Sequence, residues 1–332
     1  MPAYNAQAFI GEAIASIRSQ TLEDWELIVV DDGSTDQTFE TAQQAAGDDH
    51  RVRLIRLEQN EGISAASNAG FDAARGEFIA RIDSDDRALP TRLAAQVAAF
   101  RESERLAAAG AHARVFGENL PDDRYAYCTR GDGALKARLF EGFNTISGGT
   151  LMVRRSFVRE HHIRFDDQTA SAEDLDYLVE IMVAGGEIDN VDEVLVEHRT
   201  HETNFTSTRI DVARPALEVF RKRLLAIWYP SLDPHDIDLV VAMWFALDVD
   251  TDGFLAVVRA VDRLVAAEAR DFGQDTSVVR DFVVRRLAEV AELFRGALDA
   301  SHLQVIRVLA SPAIGAALDQ ASLLPVDTTE AV

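Results

Sequence analysis

The run Trp25-Glu26-Leu27-Ile28-Val29-Val30, followed at once by Asp31-Asp32-Gly33-Ser34-Thr35-Asp36, decides how the rest of the chain is read. An apolar stretch of strand length without polar alternation indicates a strand buried on both faces. Upstream, Phe9, Ile10, Ala13, Ile14 and Ile17 recur at helical spacing. Downstream, Ser34 or Thr35 can cap a helix over 36–46, and 52–57 has strand character. The alternation continues with a helix over 63–74, a strand over 77–82 and a long helix over 89–106 that opens beside Pro90. Up to about residue 117 this pattern predicts βα units and a mostly parallel, doubly wound sheet. Ligands of such sheets bind beyond the carboxyl ends of the strands, which is where the acids of 31–36 stand.

A second apolar strand also ends in acid, because 77–82 runs into Asp83-Ser84-Asp85-Asp86. Carboxylates at alternate positions of a short loop can converge on a hard cation such as Mg2+ or Mn2+, whose open positions suit a diphosphate. Asp31 and Asp32 can accept hydrogen bonds from ribose hydroxyls or from the N–H of a uracil-like base. Taken singly, each segment is also compatible with an ordinary Asp-Gly turn, a helix cap or a solvated loop. Glu173-Asp174 opens a further predicted helix, where the dipole alone favours carboxylates and where a fixed carboxylate can also serve as a general base. Arg199 and His201 follow a predicted strand over 191–196 at alternate positions and can reach one side together. His161, His162 and His198 are expected to be structural. Asn60-Glu61-Gly62 and Ser147-Gly148-Gly149 permit close backbone approach. Neither has the spacing of a dinucleotide or P-loop phosphate site.

Composition narrows the function further. In 332 residues, 33 basic against 56 acidic side chains leave a net charge of -23, a field that repels nucleic-acid backbones and anionic membranes. A hydrophobic share of 47% with 27% charged residues belongs to a folded globular chain. Cys128 is the single cysteine and is expected to be a packing residue in a reducing compartment. No apolar run approaches the roughly 20 residues that span a bilayer, and no secretory leader is visible, so a cytoplasmic location is expected, with or without attachment at the inner face of the membrane.

Taken in order, Pro2-Ala3-Tyr4-Asn5, Asp31 to Asp36, Asn60 to Gly70, Asp83-Ser84-Asp85-Asp86, Ser147-Gly148-Gly149, Glu173-Asp174 and Arg199-Thr200-His201 resemble the motifs of the family 2 glycosyltransferases over about residues 1–208. The resemblance implies a GT-A fold, a nucleotide-diphosphate sugar donor such as a UDP-sugar, a divalent metal (Mn2+ or Mg2+) and hexosyl transfer with inversion, in polysaccharide biosynthesis. It implies nucleotide binding by Tyr4, Asn5 and Asp32, with Pro2, Gly62, Asn68, Asp83, Ser84 and Arg199 completing the donor site. Asp83 and Asp85 would form a DXD motif, with Asp85 first and Asp83 and His201 second as metal ligands. Asp174 would be the catalytic base, with Glu173 the second choice. Family members carry an apolar strand before the Pro-x-Tyr-Asn segment, whereas Met1 here stands directly before Pro2, so the first strand is expected to look cut.

From about residue 213 the pattern becomes helical throughout, with helices over 219–228, 237–247, 254–269, 278–298 and 303–318. The expected organisation is a GT-A domain over 1–212, a helical domain over 213–324 and a disordered tail over 325–332. The helical region carries apolar stripes, Leu255, Val258, Val261 and Val265 in one segment and Phe282, Leu287, Val290, Leu293 and Phe294 in another, that call for a buried partner surface. Its expected role is binding a glycan or lipid-linked acceptor, or self-association into a homo-oligomer. Arg221, Lys222, Arg223, Arg285 and Arg286 can meet an anionic acceptor or form a solvated face. The rival functions are a catalytically silent glycan-binding or scaffolding relative and a sugar nucleotidyltransferase. The latter calls for a basic, glycine-rich N-terminal loop that this chain lacks.

Overall fold

The computed structural model describes residues 1–117, 124–141, 145–166, 172–201, 210–244, 250–294, 297–298, 300–309 and 311–320. The chain divides into two compact units, Met1–Leu217 with Phe272–Gln274, and Glu218–Asp271 with the chain from Asp275 onward.

In the first unit, β1 (Pro2–Ala3), β2 (Leu27–Asp31) and β3 (Val52–Arg56) are parallel, with Ala3 beside Asp31 and Asp31 beside Arg56. Their carboxyl ends therefore coincide. Every residue of β2 is buried, as its unbroken apolar run requires. The connections run through α1 (Ile10–Arg18), α2 (Thr38–Ala46) and α3 (Ile63–Ala73). Ile10, Ala13, Ile14 and Ile17 pack with Leu27, Val29 and Ile82 in one core. Phe9, expected in the same stripe, instead stacks on the His201 ring at 4.6 Å.

The second sheet is mixed. β4 (Phe78–Ala80) runs antiparallel to β8 (Met152–Arg154), and β8 antiparallel to β6 (Leu106–Gly117). β6 is parallel to β9 (Glu187–Thr200), which pairs antiparallel with β5 (Arg87–Ala88), and β7 (Tyr125–Ala126) lies on β6. The parallel arrangement expected up to residue 117 thus holds for β1 to β3, and in the second sheet only the β6–β9 pairing is parallel among the described strands. The helix expected over 89–106 is shorter, α4 (Arg92–Glu102), and Leu106 already belongs to β6. The Ala-rich sequence of β6 suits a helix by propensity, but eight consecutive buried residues and a long parallel pairing with β9 override it. β9 is likewise longer than the expected 191–196, so that Arg199 lies in the strand. α5 (Asp132–Arg138), α6 (Arg155–Glu160) and α7 (Glu173–Val183) complete this part.

The boundary expected near 212 falls within α8 (Ile210–Trp228). The helical unit continues with α9 (Pro234–Ala242), α10 (Thr251–Ala266), α11 (Thr276–Leu293), α12 (Ala300–Leu309) and α13 (Pro312–Gln320). Asp233, Asp250 and Asp275 cap α9, α10 and α11 by accepting from His235 N, Gly253 N and Ser277 N. The single helix expected over 303–318 is broken at Pro312, which has no N–H to donate. Val258, Val261, Leu287 and Val290 are buried, whereas Leu293 is 69% exposed. Lys222 pairs with Glu218 and Asp238, and Arg286 with Glu289, while Arg221 is buried over the Trp244 ring. Residues 245–249 and the expected tail over 325–332 lie outside the described residues. No described helix is long and apolar enough to cross a membrane.

Candidate active site

At the end of β1 the chain turns through Asn5, whose φ of 49° is in the left-handed region. The turn is held by exchange with the loop after β2: Asn5 N donates to Ser34 Oγ (3.0 Å), and Thr35 N donates to Asn5 Oδ1 (3.0 Å). Ser34 and Thr35 therefore do not cap α2. The N-cap position is Gln37, whose side chain makes no cap bond, while Asp36 Oδ1, one residue earlier, accepts from Thr38 N at 2.9 Å. Pro2 is buried in β1, and Tyr4 stands half exposed beside it. Asp31 pairs with Arg56 at 3.1 Å. Asp32, 3% exposed, accepts from Asn60 Nδ2 (3.0 Å), Glu61 N (2.8 Å) and Gly62 N (2.9 Å). A carboxylate offers about four acceptor positions, so roughly one remains for a ligand donor. Gly33, at φ 64°, lies so close to the same loop that a Cβ would stand 2.4 Å from Gln59 C. Asn68 is placed elsewhere: its amide clips Phe165 by donating to the carbonyl (2.8 Å) and accepting from the N–H (3.0 Å).

The acidic loop after β4 separates its aspartates by environment. Asp86 is buried, contacts His198 Nδ1 at 3.1 Å and accepts from Arg199 N at 2.9 Å. It is not the cap of the following helix, since β5 intervenes and the carboxylate is aimed at β9. Burial pushes Asp86 up, and its hydrogen bond to His198 pushes that imidazole up to about 9. Asp85 faces His201, Oδ2 to Nε2 at 3.0 Å, and its carbonyl accepts from Arg199 Nε at 2.9 Å. The rest of the Arg199 guanidinium pairs with Glu12 at 2.7 Å between the rings of Phe9 and Phe116. Asp83 pairs with Arg81 Nη2 at 3.0 Å, and Ser84 is half-buried at the turn.

The Asp85 carboxylate suits Mg2+ or Mn2+, the His201 imidazole argues against Mg2+, and their 3.0 Å hydrogen bond is also about the spacing of adjacent ligands in an octahedron of ~2.1 Å bonds. Among the described residues no three such side chains converge on one point, and Asp83 is engaged by Arg81. The donor set thus fits a cation through one close pair.

Glu173 and Asp174 are the first residues of α7, and Asp174 Oδ1 accepts from Leu175 N at 2.8 Å. Burial first, then the neighbouring Asp174, pushes Glu173 up to about 7. Burial also raises Asp174, with Arg81 opposing. The glycines of Ser147-Gly148-Gly149 explain how the two acidic elements approach. A Cβ on Gly149 would stand 2.8 Å from Asp86 Oδ2 and 3.2 Å from Asp83 Oδ2. One on Gly148 would stand 2.3 Å from Arg81 Nη1 and 3.5 Å from Asp174 Oδ2. A Cβ at either position would have to displace the end of a neighbouring side chain, and the pair lies between the acidic loop and the head of α7. The residue that motif reading passed over is Arg81, whose signal was a charge inside the apolar run Phe78-Ile79-Ala80-Arg81-Ile82.

The profile of the family described as Glycosyl transferase family 2 matches residues 1–161. An uncharacterized glycosyltransferase of Haemophilus influenzae is 30% identical over 214 residues, which are 62% of this chain and 65% of that protein. EpsE of Bacillus subtilis, provisionally named a glycosyltransferase, is 32% identical over 211 residues, covering 62% of this chain and 73% of EpsE. Among solved structures, S. aureus TarS 1-349 in complex with UDP-GlcNAc matches with a TM-score of 0.57 at 18% identity, covering 97% of this chain and 90% of that one. The chain thus spans 65% of the Haemophilus protein, and it covers 54% of a longer TarS chain. The architecture is a GT-A fold followed by helices, as the motifs led us to expect. The chain belongs to glycosyltransferase family 2.

Proposed function

We propose that this chain is a metal-dependent, inverting glycosyltransferase that moves a hexosyl group from a nucleotide-diphosphate donor, a UDP-sugar by preference, to a hydroxyl of a glycan or lipid-linked acceptor. The observation that supports the reading is the Gly148-Gly149 pair, with Asp83 Oδ2 against the Cβ position of Gly149 and Asp174 Oδ2 against that of Gly148. The nucleotide is held by Tyr4, Asn5 and Asp32, with Pro2 and Gly62 supporting that pocket, while Asn68 is engaged with Phe165. The UDP-GlcNAc in the TarS complex is consistent with a uridine donor. Asp85 and His201, joined by Asp83, would hold a divalent cation, with Ser84 and Arg199 serving the diphosphate end. When bound, the cation would neutralise charge on the departing diphosphate. Asp174 accepts the acceptor hydroxyl proton, and the hydroxyl oxygen forms its bond to the anomeric carbon opposite the breaking bond to the diphosphate. The product is inverted at that carbon. The helical unit serves the acceptor or self-association, and the place of action is the cytoplasm or the inner face of the membrane.

The test is a thermal-shift panel of UDP, UDP-GlcNAc and GDP-mannose with Mn2+ or with EDTA, followed by transfer assays on Asp174→Asn. A rise in melting temperature for uridine ligands with Mn2+ but not EDTA is expected. Asp174→Asn should lose roughly a hundredfold or more in transfer with donor affinity unchanged. Equal UDP binding in EDTA rejects the metal role, and unimpaired transfer in Asp174→Asn rejects that base.

A further inference from the structure

We infer that Asn68 is a positioning residue for the proposed transfer, and the inference rests on that reading: its amide fixes Phe165, whose ring supports Tyr177 and with it the head of α7 that carries Asp174. Asn68 Nδ2 donates to Phe165 O at 2.8 Å, and Asn68 Oδ1 accepts from Phe165 N at 3.0 Å. Phe165 lies outside any helix or strand, so this one amide satisfies both of its main-chain groups. Holding N–H and C=O together fixes the direction of the side chain between them. The same stripe of α3 grips the flanking residues, because Ser64, Asn68 and Asp72 are four apart. Ser64 Oγ donates to Asp166 O at 3.3 Å, and Asp72 pairs with both ends of the Arg164 guanidinium at 2.9 and 3.0 Å.

The buried Phe165 ring stacks on Tyr177 at 4.2 Å with 16° between the planes, and Phe71 of α3 meets the two rings edge-on at 5.3 and 6.0 Å. Tyr177 is buried as well, and its hydroxyl has no hydrogen-bond partner among the described residues. Ring contact therefore locates it, not a polar bond. Tyr177 follows Asp174 by three residues and Glu173 by four, which puts the three on one face of α7. The Arg81 guanidinium carbon is 5.7 Å from the Phe165 ring, but Arg81 is anchored separately, through its N–H to Leu151 O and through Nη2 to Asp83. Loss of the Asn68 grip thus falls on α7. A base displaced by about 1 Å can lose roughly a hundredfold in rate while the donor pocket stays as it was.

The experiment compares the full chain with Asn68→Ala, Tyr177→Leu and the double variant, by amide hydrogen exchange, by calorimetry with UDP and Mn2+, and by UDP release from UDP-GlcNAc. Asn68→Ala should speed exchange at Asp176, Tyr177 and Leu178 by roughly tenfold or more, while α1 keeps its rate. Its UDP affinity and KM should stay within about twofold, and kcat should fall roughly tenfold or more. The double variant should lose no more than about threefold beyond the worse single one, since both act through Phe165. Weaker UDP binding with kcat unchanged would return Asn68 to the donor pocket and overturn the inference. Exchange that accelerates equally in α1 and α7, or losses that multiply in the double variant, would overturn it too. If Asn68→Ala does not fold, unchanged kcat and exchange in Tyr177→Leu do so instead. Faster exchange in α7 alone, in a chain that turns over no nucleotide sugar, upholds the grip of Asn68 and counts against the proposed transfer alone.

Discussion

Asp32, Asp83, Asp85, Asp86 and Asp174 share one side chain and have separate fates set by their neighbours. Asp32 spends most of its acceptor capacity on the loop at 60–62 and Asp86 is spent on β9, whereas Asp83 faces Arg81 and Asp85 faces His201; the proposed function assigns the chemistry to Asp83, Asp85 and Asp174. Removing Asp86 strands the His198 and Arg199 N–H donors. We expect Asp86→Ala to cost about 1–3 kcal/mol in urea unfolding and Asp85→Ala much less, while Asp85→Ala is the change that abolishes Mn2+-dependent UDP binding. A larger stability loss in Asp85→Ala would reverse this assignment. Glu173 has a pH signature of its own. Its folded value of about 7 lies above the ordinary 4.5, so the folded state binds the proton more tightly. The resulting destabilisation is absent below pH 4.5, grows between 4.5 and 7, and is complete above 7. Glu173→Gln should therefore raise the melting temperature by ~2 °C or more at pH 8 and leave it unchanged near pH 4. A rise of equal size at both values would point to packing instead.

Loops and strands show how far local pattern reaches. The turn after β2 was legible as Asp-Gly, yet the reason for Gly33 is the backbone of Gln59 and Asn60 pressed against it. Gly47 supplies the internal comparison, having a similar φ of 55° with nothing within 4 Å of its Cβ position. Gly47→Ala should cost about 1 kcal/mol from backbone strain alone, and Gly33→Ala at least ~2 kcal/mol more, together with a weaker hold on UDP as the 60–62 loop leaves Asp32. Equal costs at the two positions would mean that the close approach does not matter. β6 is the opposite case. Alanine runs carry no periodicity that separates a helix from a strand buried on both faces, and the choice was made by pairing with β9, a partner more than 70 residues away.

Across the molecule, the charge of -23 sets a background against which any nucleotide diphosphate must bind. The two compact units allow that binding to be located. Calorimetry with UDP and Mn2+ should raise the melting transition of Met1–Leu217, where the acid-tipped strands reside, and leave that of the helical unit in place. A ligand shift confined to the helical transition would put the donor site in the wrong unit.

Sequence alone determined the βα start, the acid tips of β2 and β4, the acids opening α7 and the helical character after about 213, because each is written in a short window as a run, a period or a cap. The family likeness followed from the order of those windows. Tertiary structure decided which aspartates are used up in holding loops, the direction and length of β6 and β9, the break at Pro312 and the place of Arg81. These depend on groups far apart in the chain, and a hydrogen bond, a pairing or a countercharge supplied at long range leaves no local pattern in the sequence around either partner.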